Sequence, residues 1–294
     1  MKVFWKKTAF STIIALIIFS LVASNGTKNK ILSQDIRNSE SCILAGSLNK
    51  HQQLNQLCTS TLNHISIPTP QTNLTPILNL NLTNKERFFA AITDKLLAIP
   101  QPGTYEYILL RAYGAAFVNH NPEVQLPSKV VFSDENETKE FQFTLSMGKV
   151  NGTNNCYLQK AAADALNQAK AQVNIPLKSG YGDSDCTRTF ATNLRFWRKY
   201  ANNKTLARVQ QGQEKKILGT VAPPGSSQHL WGLAIDLRVA NEAQRQALNQ
   251  NGWFRTVEYD VPHWTYIGHP LDQLDEFGFE NKVIGGISYW LTPL

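Results

Sequence analysis

The residue types that build a metal centre are concentrated in two short stretches of this sequence. Ser226-Ser-Gln-His-Leu-Trp-Gly-Leu-Ala-Ile-Asp-Leu-Arg-Val239 sets His229 seven residues before Asp236, and Glu258-Tyr-Asp-Val-Pro-His-Trp-Thr-Tyr-Ile-Gly268 sets Asp260 three residues before His263. Two histidines and one aspartate on neighbouring strands supply three ligands to a tetrahedral zinc and leave one position open for water. Asp260 then lies within reach of that water's protons. The competing reading of the same four side chains is a set of unrelated polar residues.

The elements around these residues must bring them together. From Trp231 to Val239 the odd positions Trp231, Leu233, Ile235, Leu237 and Val239 are large and apolar, and the even ones are small or charged. A period of two predicts a strand with one buried face and an open face beside Asp236. In a straight strand His229 and Asp236 point to opposite faces. They converge only if His229 sits in the preceding turn or Gly232 marks a bulge. A helix also places positions seven apart on one face, but the strict alternation and the loop-like Pro223-Pro-Gly-Ser-Ser227 favour the strand. In the second stretch Pro262 suits the first position of a strand. After it His263, Thr265 and Ile267 share one face and Trp264 and Tyr266 the other.

The pattern Ser-x-His-x-x-Gly-x-Ala-x-Asp over residues 227–236, followed by Asp260-x-x-His263, resembles the zinc D-Ala-D-Ala carboxypeptidases of the vancomycin-resistance type. That family includes phage endolysins that cut the L-Ala–D-Glu bond of peptidoglycan and is related to the hedgehog signalling domains. The resemblance covers roughly residues 179–268. It implies zinc held by His229, Asp236 and His263, with Asp260 as the acid–base residue where many relatives carry Glu. Members typically show Ser-Gly-Tyr-Arg-Ser-Tyr-x-x-Gln. Here Gly182 follows Ser179-Gly-Tyr181, and Arg188-Thr-Phe-Ala-Thr-Asn193 resembles the second half displaced by a few residues. The resemblance therefore assigns substrate binding to Arg188, which could also act catalytically by stabilising the charge on the carbonyl oxygen. Ser227, two before His229, is a further substrate-binding candidate or a loop-turn hydroxyl. It implies hydrolysis of peptidoglycan stem peptides, foremost by a D-Ala-D-Ala carboxypeptidase. The alternatives are an L-Ala-D-Glu or cross-link endopeptidase, or a zinc-bound but idle module that binds wall or partner protein.

Elsewhere the chain offers organisation rather than chemistry. Residues 1–24 combine Lys2, Lys6 and Lys7 with an apolar run and a small-residue Val-Ala-Ser end, which predicts an export signal or, if retained, a membrane anchor. Its removal lowers the formal charge from +7 to +4. Only 17% of the residues are charged and no basic cluster interleaves with aromatics, so nucleic acid is not an expected partner. Residues 25–84 are rich in Asn, Thr, Ser and Gln and read as a low-order tether. Residues 85–150 read as an N-terminal extension of the catalytic domain at 151–294. It has helices over 84–97 and 104–117 and short strands over 130–132 and 141–145.

Within 151–294 the patterns predict helices over 157–173, 190–200 and 241–249 and a strand over 173–181. The tail beyond Pro270 is apolar and is expected to pack on the core. His51, His64, His120 and His269 lie outside the ligand pattern. Four cysteines in an exported chain suggest disulfides, Cys42 with Cys58 and Cys156 with Cys186 by proximity, with the two other connectivities open. With paired cysteines and no Gly-x-Ser-x-Gly, a serine or cysteine hydrolase has little support. The expected fold is α+β: a small, mainly antiparallel sheet carrying the zinc site, helices packed on it, and an N-terminal extension.

Overall fold

The structure, a computed structural model, describes residues 81–294. The signal, most of the tether and the Cys42–Cys58 pairing lie outside the described residues. The chain divides into two units, Met1–Asn73 and Leu74–Leu294, and all described residues belong to the second.

Helix starts follow local capping chemistry. Thr83 caps α1 (Asn84–Ile92) in a reciprocal box with Glu86, and Phe88 and Ile92, four apart, turn inward. Thr104 caps α2 (Tyr105–Tyr113), which tightens into a 3-10 turn over Gly114–Val118. Asp134 caps α3 (Glu135–Phe143). This corrects the strands expected over 130–132 and 141–145. The acidic residues between them, Asp134, Glu135 and Glu137, are the cap and first turn of a helix, where negative charge is favourable. Phe141 packs on Phe132 at 5.3 Å between ring centroids while Phe143 is exposed, so the alternation there was not a sheet pattern.

Strands β1 (Met147–Lys149) and β2 (Tyr157–Gln159) pair antiparallel and lead into α4 (Lys160–Gln172), so the helix expected from 157 begins three residues later. A single turn α5 (Gly182–Asp185) precedes α6 (Phe190–Tyr200) and α7 (Asn203–Gln210), capped by Thr189 and Asn202. The central sheet has β3 (Ala234–Asp236) and β4 (Trp253–Phe254) on either side of β5 (His263–Tyr266), all antiparallel. Helix α8 (Glu242–Gln250) joins β3 to β4 behind an Asn241–Gln244 capping box. After a 3-10 turn over Leu271–Phe277, the hairpin β6 (Glu280–Ile284) and β7 (Ile287–Leu291) closes the chain, with Phe277, Phe279 and Tyr289 buried. The fold is α+β, with small antiparallel sheets and surrounding helices.

Two strand expectations are corrected. Residues 173–181 form no strand; Pro176 has no N–H to donate, and only the Leu177–Leu237 bridge remains. The strand expected over 231–239 is three residues long, and Ala234, Ile235 and Asp236 are all buried, with Asp236 at the floor of a cleft. Residues 176–178 cover its outer edge, with Lys178 N donating to Asp236 O at 2.9 Å and Arg238 N to Pro176 O at 2.9 Å.

One apolar core runs through the described residues. Phe88 meets Phe279 edge-on at 6.0 Å, and Phe117 packs on Trp231 at 5.2 Å. Residues 85–150 thus share their buried surface with 151–294.

Candidate metal centre

Strand register explains why two of the three expected ligands meet. Asp236 on β3 lies directly opposite His263 on β5. Opposed residues of an antiparallel pair point to the same face with Cβ atoms about 5 Å apart. His229 reaches the same point by the turn route. It sits in a 3-10 turn, Gln228–Trp231, which ends at Gly232 with φ +67°. A side chain at Gly232 would be strained at that φ and would crowd the backbone N of Gln159 at 3.2 Å.

His229 Nε2 is 3.2 Å from His263 Nδ1 and 3.3 Å from Asp236 Oδ1, and His263 Nδ1 is 3.7 Å from Asp236 Oδ1. A tetrahedral ion with ligand bonds of 2.0–2.1 Å has ligand–ligand edges of about 3.4 Å. The three separations match those edges. The donor set fits as well. His229 Nδ1 lies 2.8 Å from the carbonyl of Cys186, which can only accept, so the proton sits on Nδ1 and the lone pair of Nε2 faces the cluster. His263 Nε2 lies 2.8 Å from Gln228 Oε1, turning Nδ1 inward. Lone pairs converging on one point suit a cation. Among the described residues this is the one group of three His, Cys, Asp or Glu side chains so placed.

The electrostatics agree with that reading. Burial, then the Arg188 charge, lowers the His229 pKa to about 4, which keeps the ring neutral. Burial works against the Asp236 charge, but the Arg188 guanidinium bonded to it favours the carboxylate, and its pKa is held well below the usual range. Asp260 is half-buried, with no side-chain hydrogen bond among the described residues. Burial pushes its pKa up to about 6; Asp236 adds to the rise, while His263, Lys178 and Arg188 oppose it.

These groups line one cleft of about 290 Å³, together with Lys178, Arg188, Ser227 and Arg195. Arg188 is not a free cation. One terminal amino group donates to Asp236 Oδ2 at 2.5 Å, Nε donates to the Ser184 carbonyl at 2.6 Å, and the guanidinium lies 4.8 Å from the centre of the Phe196 ring. Ser227 is buried at the start of the 3-10 turn, and its hydroxyl has no hydrogen-bond partner among the described residues. Trp231 and Trp264 are core residues, and Tyr181 is exposed at the rim. His269 lies apart from the cluster, bonded to Gln273 and the Val118 carbonyl.

Three features of the site were absent from the sequence reading. The disulfide joins Cys156 to Cys186, as expected, but the Cys186 carbonyl also orients His229. Gly182 stands where an arginine was expected because its Cα nearly touches the chain at Asn155. An added Cβ would come within 2.2 Å of that backbone. Gln228, buried beside His229, contacts the other histidine. Set between Ser227 and His229 in a polar loop-like stretch, it carried no sequence signal of that role.

Residues 155–269 match the family model VanY, D-alanyl-D-alanine carboxypeptidase. No curated protein matches the chain. The matched segment contains His229, Asp236, Asp260, His263, Arg188 and Ser227, and it leaves out α1, α2 and α3.

Proposed function

Starting from a VanY-type D-alanyl-D-alanine carboxypeptidase domain at residues 155–269, we propose that the protein is an exported zinc metallopeptidase that removes the terminal D-alanine from peptidoglycan stem peptides. The observation that most supports this is the convergence of three acceptor atoms, from His229, Asp236 and His263, in one cleft with the Asp260 carboxyl. Those three side chains would hold the zinc. A zinc ion there supplies Lewis-acid polarisation and lowers the pKa of a bound water to about 7.

The remaining chemistry falls to the chain's own residues. Asp260, with a pKa near 6, is largely ionised at neutral pH yet basic enough to accept a proton. It takes a proton from the attacking water as the water oxygen bonds to the amide carbonyl carbon. It returns that proton to the amide nitrogen as the C–N bond breaks, so water and peptide yield an acid and an amine. Arg188 holds Asp236 in its ligand geometry, and its second terminal amino group remains for substrate. Export rests on the charged and apolar segment at residues 1–24.

One observation favours an endopeptidase. Arg188 is engaged by Asp236 and Ser184, which leaves less of its guanidinium to receive a terminal carboxylate. Mass spectrometry of a digested muropeptide pentapeptide separates the readings. Loss of one alanine supports the carboxypeptidase, and a released peptide beginning at D-Glu supports the endopeptidase. An intact pentapeptide with zinc-loaded protein leaves only a binding module.

A further inference from the structure

Gln228 is fully buried, and each half of its amide meets a partner of fixed character. Its Nε2 donates to the carbonyl of Tyr113 at 2.6 Å. Its Oε1 lies 2.8 Å from His263 Nε2 and 2.8 Å from Thr265 Oγ1. A carbonyl can only accept, so the amide has one workable orientation. Flipping it would set oxygen against the Tyr113 carbonyl and point N–H groups at His263. Such a flip would leave a buried acceptor unpaired, which disfavours it strongly. The Tyr113 carbonyl thus turns Oε1 toward His263, and an acceptor at His263 Nε2 requires the proton to sit there. Nδ1 is left as a bare lone pair 3.2 Å from His229 Nε2.

We propose that Gln228 is a positioning residue that fixes the tautomer of His263, and that the last residue of α2, outside the matched segment, sets it through the Tyr113 carbonyl. The proposal rests on the reading of His263 as a metal ligand. It also gives residues 85–150 a role: α2 braces one histidine from behind the site. A second contact of the same kind comes from α3, where Gln142 Nε2 donates to the carbonyls of Arg188 and Leu230 at 2.8 and 2.9 Å. His229 needs no help from Gln228, because the Cys186 carbonyl holds its Nδ1 proton. The two histidines therefore carry opposite tautomers, Nδ1–H on His229 and Nε2–H on His263, and both aim a lone pair inward. Without an acceptor at position 228, the His263 proton moves to Nδ1, where His229 Nε2, 3.2 Å away, accepts it. A metal must then displace a proton to bind.

The test uses imidazole nitrogen NMR on metal-free full-length protein, with zinc affinity measured by chelator competition. The wild type should show the two opposite tautomers. Gln228→Leu should move His263 to Nδ1–H, leave His229 unchanged, and weaken zinc binding roughly 10–100-fold, as loss of a partner behind a ligand typically does. Leucine also strips Thr265 and the Tyr113 carbonyl of a partner. Gln228→Glu is therefore the second variant: it keeps the acceptor toward His263 and Thr265, while its other oxygen must carry a proton to donate to the Tyr113 carbonyl, and it should retain the Nε2–H tautomer. The proposal is overturned if Gln228→Leu leaves His263 on Nε2–H, or if Gln228→Glu moves it to Nδ1–H. A wild type that binds no zinc would overturn the ligand reading, while the metal-free spectra would still decide the tautomer.

Discussion

Replacing Asp260 by asparagine should lower activity and raise stability, because the position combines burial with a charge. Its carboxyl titrates near 6 in the fold against 3.8 for an ordinary aspartate, a gap of roughly two units. At 1.36 kcal/mol per unit, ionising it in place costs about 3 kcal/mol. The sign follows from proton counting. Between pH 4 and 6 the folded state holds the proton that the unfolded state has lost, so stability falls as pH rises through that window. Asparagine does not ionise and escapes the fall. At pH 7 the metal-free Asp260→Asn protein should be more stable by up to about 3 kcal/mol, or roughly 6–12 °C in Tm for a domain of this size. At pH 4 the two proteins should melt together. Peptidase activity should drop on the order of a hundredfold or more, in line with loss of a general base. Thermal melts in chelator at both pH values, beside a turnover assay, read all three quantities. An equal Tm at pH 7, or a gain that persists unchanged at pH 4, would refute the account of Asp260 as a strained buried carboxylate. Near-wild-type turnover would remove it from the mechanism.

Further outcomes follow from the ligand geometry. His263→Ala should lose most of the zinc that elemental analysis finds in the wild type, and unchanged zinc would take His263 off the ligand set. Arg188→Lys cannot hold Asp236 Oδ2 and the Ser184 carbonyl at once, so zinc affinity should fall about tenfold; chelator competition measures it, and an unchanged affinity would free Arg188 from that role. Replacing Cys156 and Cys186 by serine opens a loop with a sequence separation of 30. The loss should be about 3–4 kcal/mol in chemical denaturation, and a loss under 1 kcal/mol would show that packing alone holds the loop that presents Cys186 and Arg188.

The expected ligands were legible because residue type and spacing survive without knowledge of the backbone path. Their convergence was only half legible. Alternation over 231–239 reads as a strand, yet the first two of those residues are the end of a 3-10 turn, Trp231, and a left-handed Gly232. That turn is one of the two routes by which His229 and Asp236 could meet. Helices were easiest to place where a capping residue preceded an apolar face, as at Thr189 and Asn241. They were misread where a cap looked like a turn, as at Asp134. The Cys156–Cys186 pairing follows from nearness in sequence, whereas the Tyr113–Gln228 contact joins residues 115 apart and leaves no local trace. Arg188 shows the limit most plainly. Its place in the motif suggests a hand for substrate, and only coordinates reveal that it also grips Asp236.

The central claim is that His229, Asp236 and His263 hold one zinc on which peptide hydrolysis depends. Its most direct measurement is a titration of metal-free protein with zinc while terminal D-alanine release from a stem pentapeptide is followed. Activity should be absent at the start, rise linearly, and break at one equivalent, with Asp236→Asn showing no such break. Activity that survives removal of the metal, or that never appears at any zinc level, would contradict the account.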